Sequence, residues 1–69
     1  MRYVIETERE ADGRWIAEVP ALPGAMAYGQ TKAEAVATVK ALALRVLADR
    51  IESNKKASPR PLAVSLACR

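Results

Sequence analysis

A 69-residue chain with one cysteine, Cys68, and no histidine lacks both a disulfide and the commonest nitrogen ligand for a metal, so a core worth about 3–5 kcal/mol alone points to a second subunit or a partner. Its net charge of +3 is unevenly spread, five acids against three bases in residues 1–20 and eight bases against three acids thereafter. No apolar run reaches the ~18 residues of a membrane span and the N-terminus has no signal-peptide core, which leaves a cytoplasmic, single-domain globular protein over residues 1–69 as the expectation.

The run RYVIETE mixes β-branched and aromatic residues over a strand length, and WIAEV does so again beyond Ala11-Asp12-Gly13. The pair reads as a β-hairpin. Between Val19 and Ala25 lie Pro20, Pro23 and Gly24, a stiff apolar turn that leads to a third strand in AMAYGQ. Proline fixes φ and glycine tolerates a left-handed backbone, so this loop either only links two strands or presents a preorganised surface at low ordering cost.

Thr31 and Glu34 have the spacing of a capping box, which starts a helix at Lys32. The helix is expected over about residues 32–53, roughly 30 Å long. At 100° steps, Val36, Val39, Leu42, Ala43, Val46, Leu47 and Ile51 share one broad arc opposite Glu34, Thr38, Arg45, Asp49 and Glu52. Lys40 and Arg50 fall inside that arc, either because their stems snorkel to water or because one edge of the arc meets another chain.

A polar linker follows at about 54–60, and a last strand at about 61–68, where Leu62, Val64, Leu66 and Cys68 alternate with small residues. Cys68 reads as a small buried hydrophobe. The order β-β-β-α-β makes an α+β fold with a four-stranded mixed sheet, the helix on one face and the last strand parallel to the first. The other face should be polar if the chain stands alone. Yet Val4 and Ile16 oppose Tyr3, Ile5, Trp15 and Val19 in the alternation, so something besides the helix is expected over part of the sheet.

The chemistry of an enzyme is sparse. Three serines stand outside any nucleophile elbow, and Gly13, Gly24 and Gly29 stand singly rather than in a phosphate loop. A two-metal nuclease needs carboxylates from several elements. Glu6, Glu8 and Glu34 are available for one, but residues 53–69 contain no carboxylate. No catalytic residue, metal, cofactor or small-molecule substrate is expected.

From Tyr3 to Ala43, the sequence Asp12-Gly13, Trp15-Ile16-Ala17, Glu18-Val19-Pro20, Leu22-Pro23-Gly24, Gly29, Thr31 and Glu34-Ala35 resembles the HicB-like antitoxin family. The resemblance implies a partial ribonuclease H-like fold without nuclease activity. It also implies a role as the antitoxin of a type II toxin-antitoxin pair, neutralising a HicA-like toxin, a small basic mRNA-cleaving ribonuclease. Relatives often carry a C-terminal DNA-binding domain, but only Ala67, Cys68 and Arg69 follow Leu66. The resemblance is to a short form, and direct operator binding is not expected.

Candidate contact residues for such a partner are Glu8, Asp12, Trp15, Glu18, Pro20, Leu22, Pro23, Met26 and Tyr28. Acidic groups would steer a basic partner and apolar ones hold it. Trp15 is open between core packing and interface anchor. Two other readings compete: nucleic-acid binding through Lys40, Arg50, Lys55, Lys56 and Arg60, and a homo-oligomer paired through the bare face or a sheet edge.

Overall fold

A computed structural model describes residues 2–53 and 64–69. Strands β1 (Arg2–Arg9), β2 (Trp15–Glu18) and β3 (Met26–Gly29) precede the helix α1 (Lys32–Ser53), and β4 (Ser65–Cys68) follows it. The sheet order is β3-β2-β1-β4. β1 pairs antiparallel with β2 and parallel with β4, and β2 pairs antiparallel with β3. This is the α+β, mixed-sheet arrangement that the element order predicts. The expected linker at 54–60, and residues 61–63 of the expected last strand, lie outside the described residues.

The hairpin closes because Gly13 takes φ +92° and donates its amide to the Glu10 carbonyl at 3.0 Å. A residue with a Cβ would resist that backbone. Helix α1 starts where the Thr31 hydroxyl accepts the Glu34 amide at 3.1 Å, the threonine half of the expected box. Gly29 precedes it, and a Cβ there would lie 2.5 Å from the Ala35 amide nitrogen. Only a glycine lets the end of β3 pass so close to the first helical turn.

The core lies between α1 and one sheet face. Ile5, Ala17 and Ala27 face it from the strands, and Ala35, Val39, Ala43 and Leu47 from the helix. Val36, Leu42 and Val46 are half-buried, as the arc predicts. Ile51, however, is exposed, and so is Leu44 at 51%. The expected arc was thus too wide: small alanines at 35 and 43 bring the helix close, and the contact narrows to the i, i+4 row.

Two further expectations are corrected. Leu66 and Val64 pack against the core, but Cys68 is exposed. It pairs with Ile5 at the end of β4, an edge strand. Leu22, expected among the contact residues, is the second correction. Val19, Leu22 and Ala25 are all buried to 2% or less. Leu22 donates to the Val19 carbonyl at 2.9 Å and Ala25 to the Leu22 carbonyl at 3.0 Å, with Gly24 at φ +91°. Two consecutive tight turns, the second with proline and then a left-handed glycine as a type II turn requires, therefore point every third side chain inward. The stiff loop seals one end of a core that has only one helix to cover it.

Candidate functional site

The face turned away from α1 is built by even-numbered residues of the first three strands. The register sets Tyr28, Ile16 and Glu8 in one row across β3, β2 and β1, and Met26, Glu18 and Glu6 in the next. Val4 lies beyond, opposite Ala67 of β4. No element covers these rows among the described residues: Val4 and Met26 are 48% exposed and Tyr28 46%.

Charge on this face is concentrated and mostly unpaired. Glu6 and Glu18 stand directly opposite each other, a cross-strand like-charge pairing that costs stability. Glu6 reaches Arg69 at 3.6 Å, through exposed groups, whereas Glu8 and Glu18 form no ion pair among the described residues. Glu6, Glu8, Glu10 and Glu18 with Thr7 and Ile16 line a depression of about 160 Å³. No three of the described acids or the cysteine gather closely enough to hold a metal ion.

The hairpin tip holds its own charge. Asp12 accepts the Arg14 amide at 3.0 Å and its Nε at 2.7 Å. Those bonds, the backbone one foremost, hold the Asp12 carboxyl below the usual aspartate range. The Arg14 guanidinium also lies 4.7 Å from the centroid of the Tyr28 ring, a cation–π contact that fixes the arginine at the margin of the face.

The candidate contact residues divide accordingly. Glu8, Glu18, Met26 and Tyr28 share the uncovered face, and Asp12 borders it at the hairpin tip. Pro20 is exposed and, with Val4, Ala21 and Arg69, lines a second shallow depression of about 260 Å³. Pro23 is exposed on the loop. One residue leaves the set: Leu22 is 1% exposed and belongs to the core. Trp15 is half-buried against that core, so part of its ring packs inward and part meets solvent. Val4, Glu6 and Ile16 join the uncovered face, since strand alternation alone assigns them to the side of Glu8 and Glu18.

Glu6 and Glu8 lie on the uncovered face, while Glu34 heads the helix on the other. The carboxylates weighed for a nuclease, Glu6 or Glu8 with Glu34, thus lie on opposite sides of the sheet.

These features define a class: a small α+β protein with one sheet face packed by its helix and the other, among the described residues, uncovered, partly apolar and acidic. The chain belongs to the UPF0150 family. It is 33% identical over 60 residues to the UPF0150 protein Ta0767 of Thermoplasma acidophilum, a match covering 87% of this chain and 86% of that protein. No protein-family model matches the chain, and no solved structure does.

Proposed function

We propose that this chain is a non-catalytic interaction module of the antitoxin type, which neutralises a small basic HicA-like ribonuclease by binding over it. The observation that carries the reading is the uncovered sheet face, where Val4, Met26 and Tyr28 stand exposed beside Glu8 and Glu18, which form no ion pair among the described residues. Exposed large apolar side chains grouped on one face fit a protein contact better than solvent, and acidic groups among them favour a basic partner through rate and register. The family resemblance of the sequence supports the same role. Co-expression with a neighbouring basic reading frame, followed by pull-down and a growth assay, tests it. A stable complex and restored growth are expected; no complex and no restoration would refute it.

Self-association is the second reading, and it rests on α1. Beside the core arc runs an exposed stripe of Ala37, Ala41, Leu44, Ala48 and Ile51. Its small residues would admit a second helix close to the backbone, as interdigitated helix packing requires. Light scattering over a dilution series, with Leu44→Glu as the disrupting change, tests this. A chain that stays monomeric at micromolar concentration rejects it. Nucleic-acid binding is less favoured: Lys40 and Arg50 are exposed on α1, without aromatic platforms beside them, and Lys55, Lys56 and Arg60 lie outside the described residues.

A further inference from the structure

The uncovered face is more specific than an apolar surface with some charge near it. Its residues lie on a lattice of about 4.8 Å between strands and about 6.8 Å between same-side neighbours in a strand. On that lattice Glu8, Glu6 and Glu18 form a compact acidic centre. Ile16, Met26 and Tyr28 make an apolar shelf on the β2–β3 side, and Val4 and Ala67 another toward β4. The Arg14 cation is committed to Asp12 and the Tyr28 ring. The depression walled by Glu6, Glu8, Glu18 and Ile16 therefore combines negative charge with an aliphatic wall.

Resting on the reading of this chain as an interaction module, we infer that this face is the docking surface for an arginine-bearing segment of a basic protein. One guanidinium seats between Glu8 and Glu18, and flanking apolar side chains cover Met26 and Tyr28. Charge complementarity selects this occupant. Arginine carries a charged fork on an apolar stem, which matches an acidic pit beside an aliphatic shelf. A second copy docked about a two-fold axis through this acidic centre would bring the same three carboxylates against their counterparts. A nucleic acid would bring phosphates against them. Binding also offsets a cost built into the free chain, because a cation placed there screens Glu6 from Glu18.

The test is a titration of the isotope-labelled full chain, followed by amide NMR, with a short amphipathic peptide bearing arginines on one side and leucines on the other. A counterpart with glutamate for arginine serves as control. Amide shifts centred on Glu6, Glu8, Ile16, Glu18, Met26 and Tyr28 are expected, and the glutamate peptide should leave them in place. Glu8→Lys with Glu18→Lys should weaken the arginine peptide about tenfold or more, whereas Leu44→Glu should change nothing. Should the double reversal misfold, Glu8→Gln with Glu18→Gln is read instead, with a loss of about threefold expected.

Shifts centred on α1, no shifts at millimolar peptide, equal affinity for the two peptides, or indifference to the Glu8 and Glu18 changes would each overturn the inference. The growth assay keeps this failure apart from failure of the proposed function. Growth left unrestored by a chain that still takes arginine on this face refutes neutralisation alone. Growth restored equally by wild type and by Glu8→Lys/Glu18→Lys refutes this docking surface alone.

Discussion

Replacing Glu18 by threonine should make the free protein more stable while weakening its hold on a basic partner. Glu18 lies directly opposite Glu6 across β1 and β2, and same-sign charges there destabilise a sheet on the scale of other cross-strand pairs, about 0.2–1 kcal/mol. Threonine removes that repulsion and favours the strand by a further few tenths of a kcal/mol. A gain of about 0.5–1 kcal/mol results, which for a domain of this size raises Tm by roughly 2–8 °C. Glu18 is the better site of the two because it has no ion pair among the described residues, whereas Glu6 reaches Arg69 at 3.6 Å. The assay is thermal unfolding of wild type, Glu18→Thr, Glu6→Gln and the double variant at low salt and again at 1 M salt. The double variant should gain less than the sum of the singles, since either change alone removes the repulsion. High salt should shrink the effect, because the screening length falls to about 3 Å. A lowered Tm for Glu18→Thr, or strict additivity at low salt, would refute the reasoning.

Three other changes probe the frame that holds this face. Gly29→Ala places a Cβ 2.5 Å from the Ala35 amide nitrogen, so backbone must shift and a loss of about 1–3 kcal/mol is expected in urea unfolding; an unchanged midpoint would show that the β3–α1 approach is not tight. Leu22→Ala should cost about 2–5 kcal/mol and leave most of the chain unfolded by NMR dispersion, while Pro23→Ala, exposed and acting chiefly on the unfolded chain, should cost about 0.4–1 kcal/mol. Asp12 titrates below its ordinary value when folded. Its contribution to the hairpin is therefore fully present above the unfolded aspartate pKa and disappears as pH falls through the lower folded one. Carboxyl NMR should find that low midpoint, and Arg14→Ala should return it only part of the way, since the residue 14 amide still donates to the carboxylate.

Much of this architecture is legible in the residues because local chemistry and the fold agree. Thr31 and Glu34 mark the helix start within a residue, and period-two alternation separates Ile5 and Ala17 from Val4 and Ile16 well enough to announce an uncovered apolar side. What the chain conceals depends on contacts remote in sequence. Leu22 reads as a surface residue of a turn until the i, i+3 spacing of Val19, Leu22 and Ala25 is set against their shared burial. Trp15 falls on the packed side through the same parity as Ala17, but how far it is covered depends on α1. Ile51 looks like core on a helical wheel because a wheel carries no information on where the sheet ends. Cross-strand neighbours are the least visible: nothing near Glu18 in the chain announces Glu6 opposite it.

The placement of those carboxylates resolves a tension in so small a protein. A sheet with one helix must leave a face open, and an apolar open face pairs with copies of itself. If this face docks a basic segment as proposed, glutamates at 6, 8 and 18 among Val4, Ile16, Met26 and Tyr28 would disfavour self-pairing while leaving apolar surface for a partner of opposite charge. The like-charge pairing that weakens the monomer would then also discriminate between partners. A stabilising substitution at Glu18 would remove that discrimination along with the strain, so stability and specificity should move in opposite directions there, whereas neutralising Glu8, which faces Ile16, should weaken binding without a matching gain in stability. On the helix side, where Val39 and Leu47 are buried in the core, no such opposition is expected.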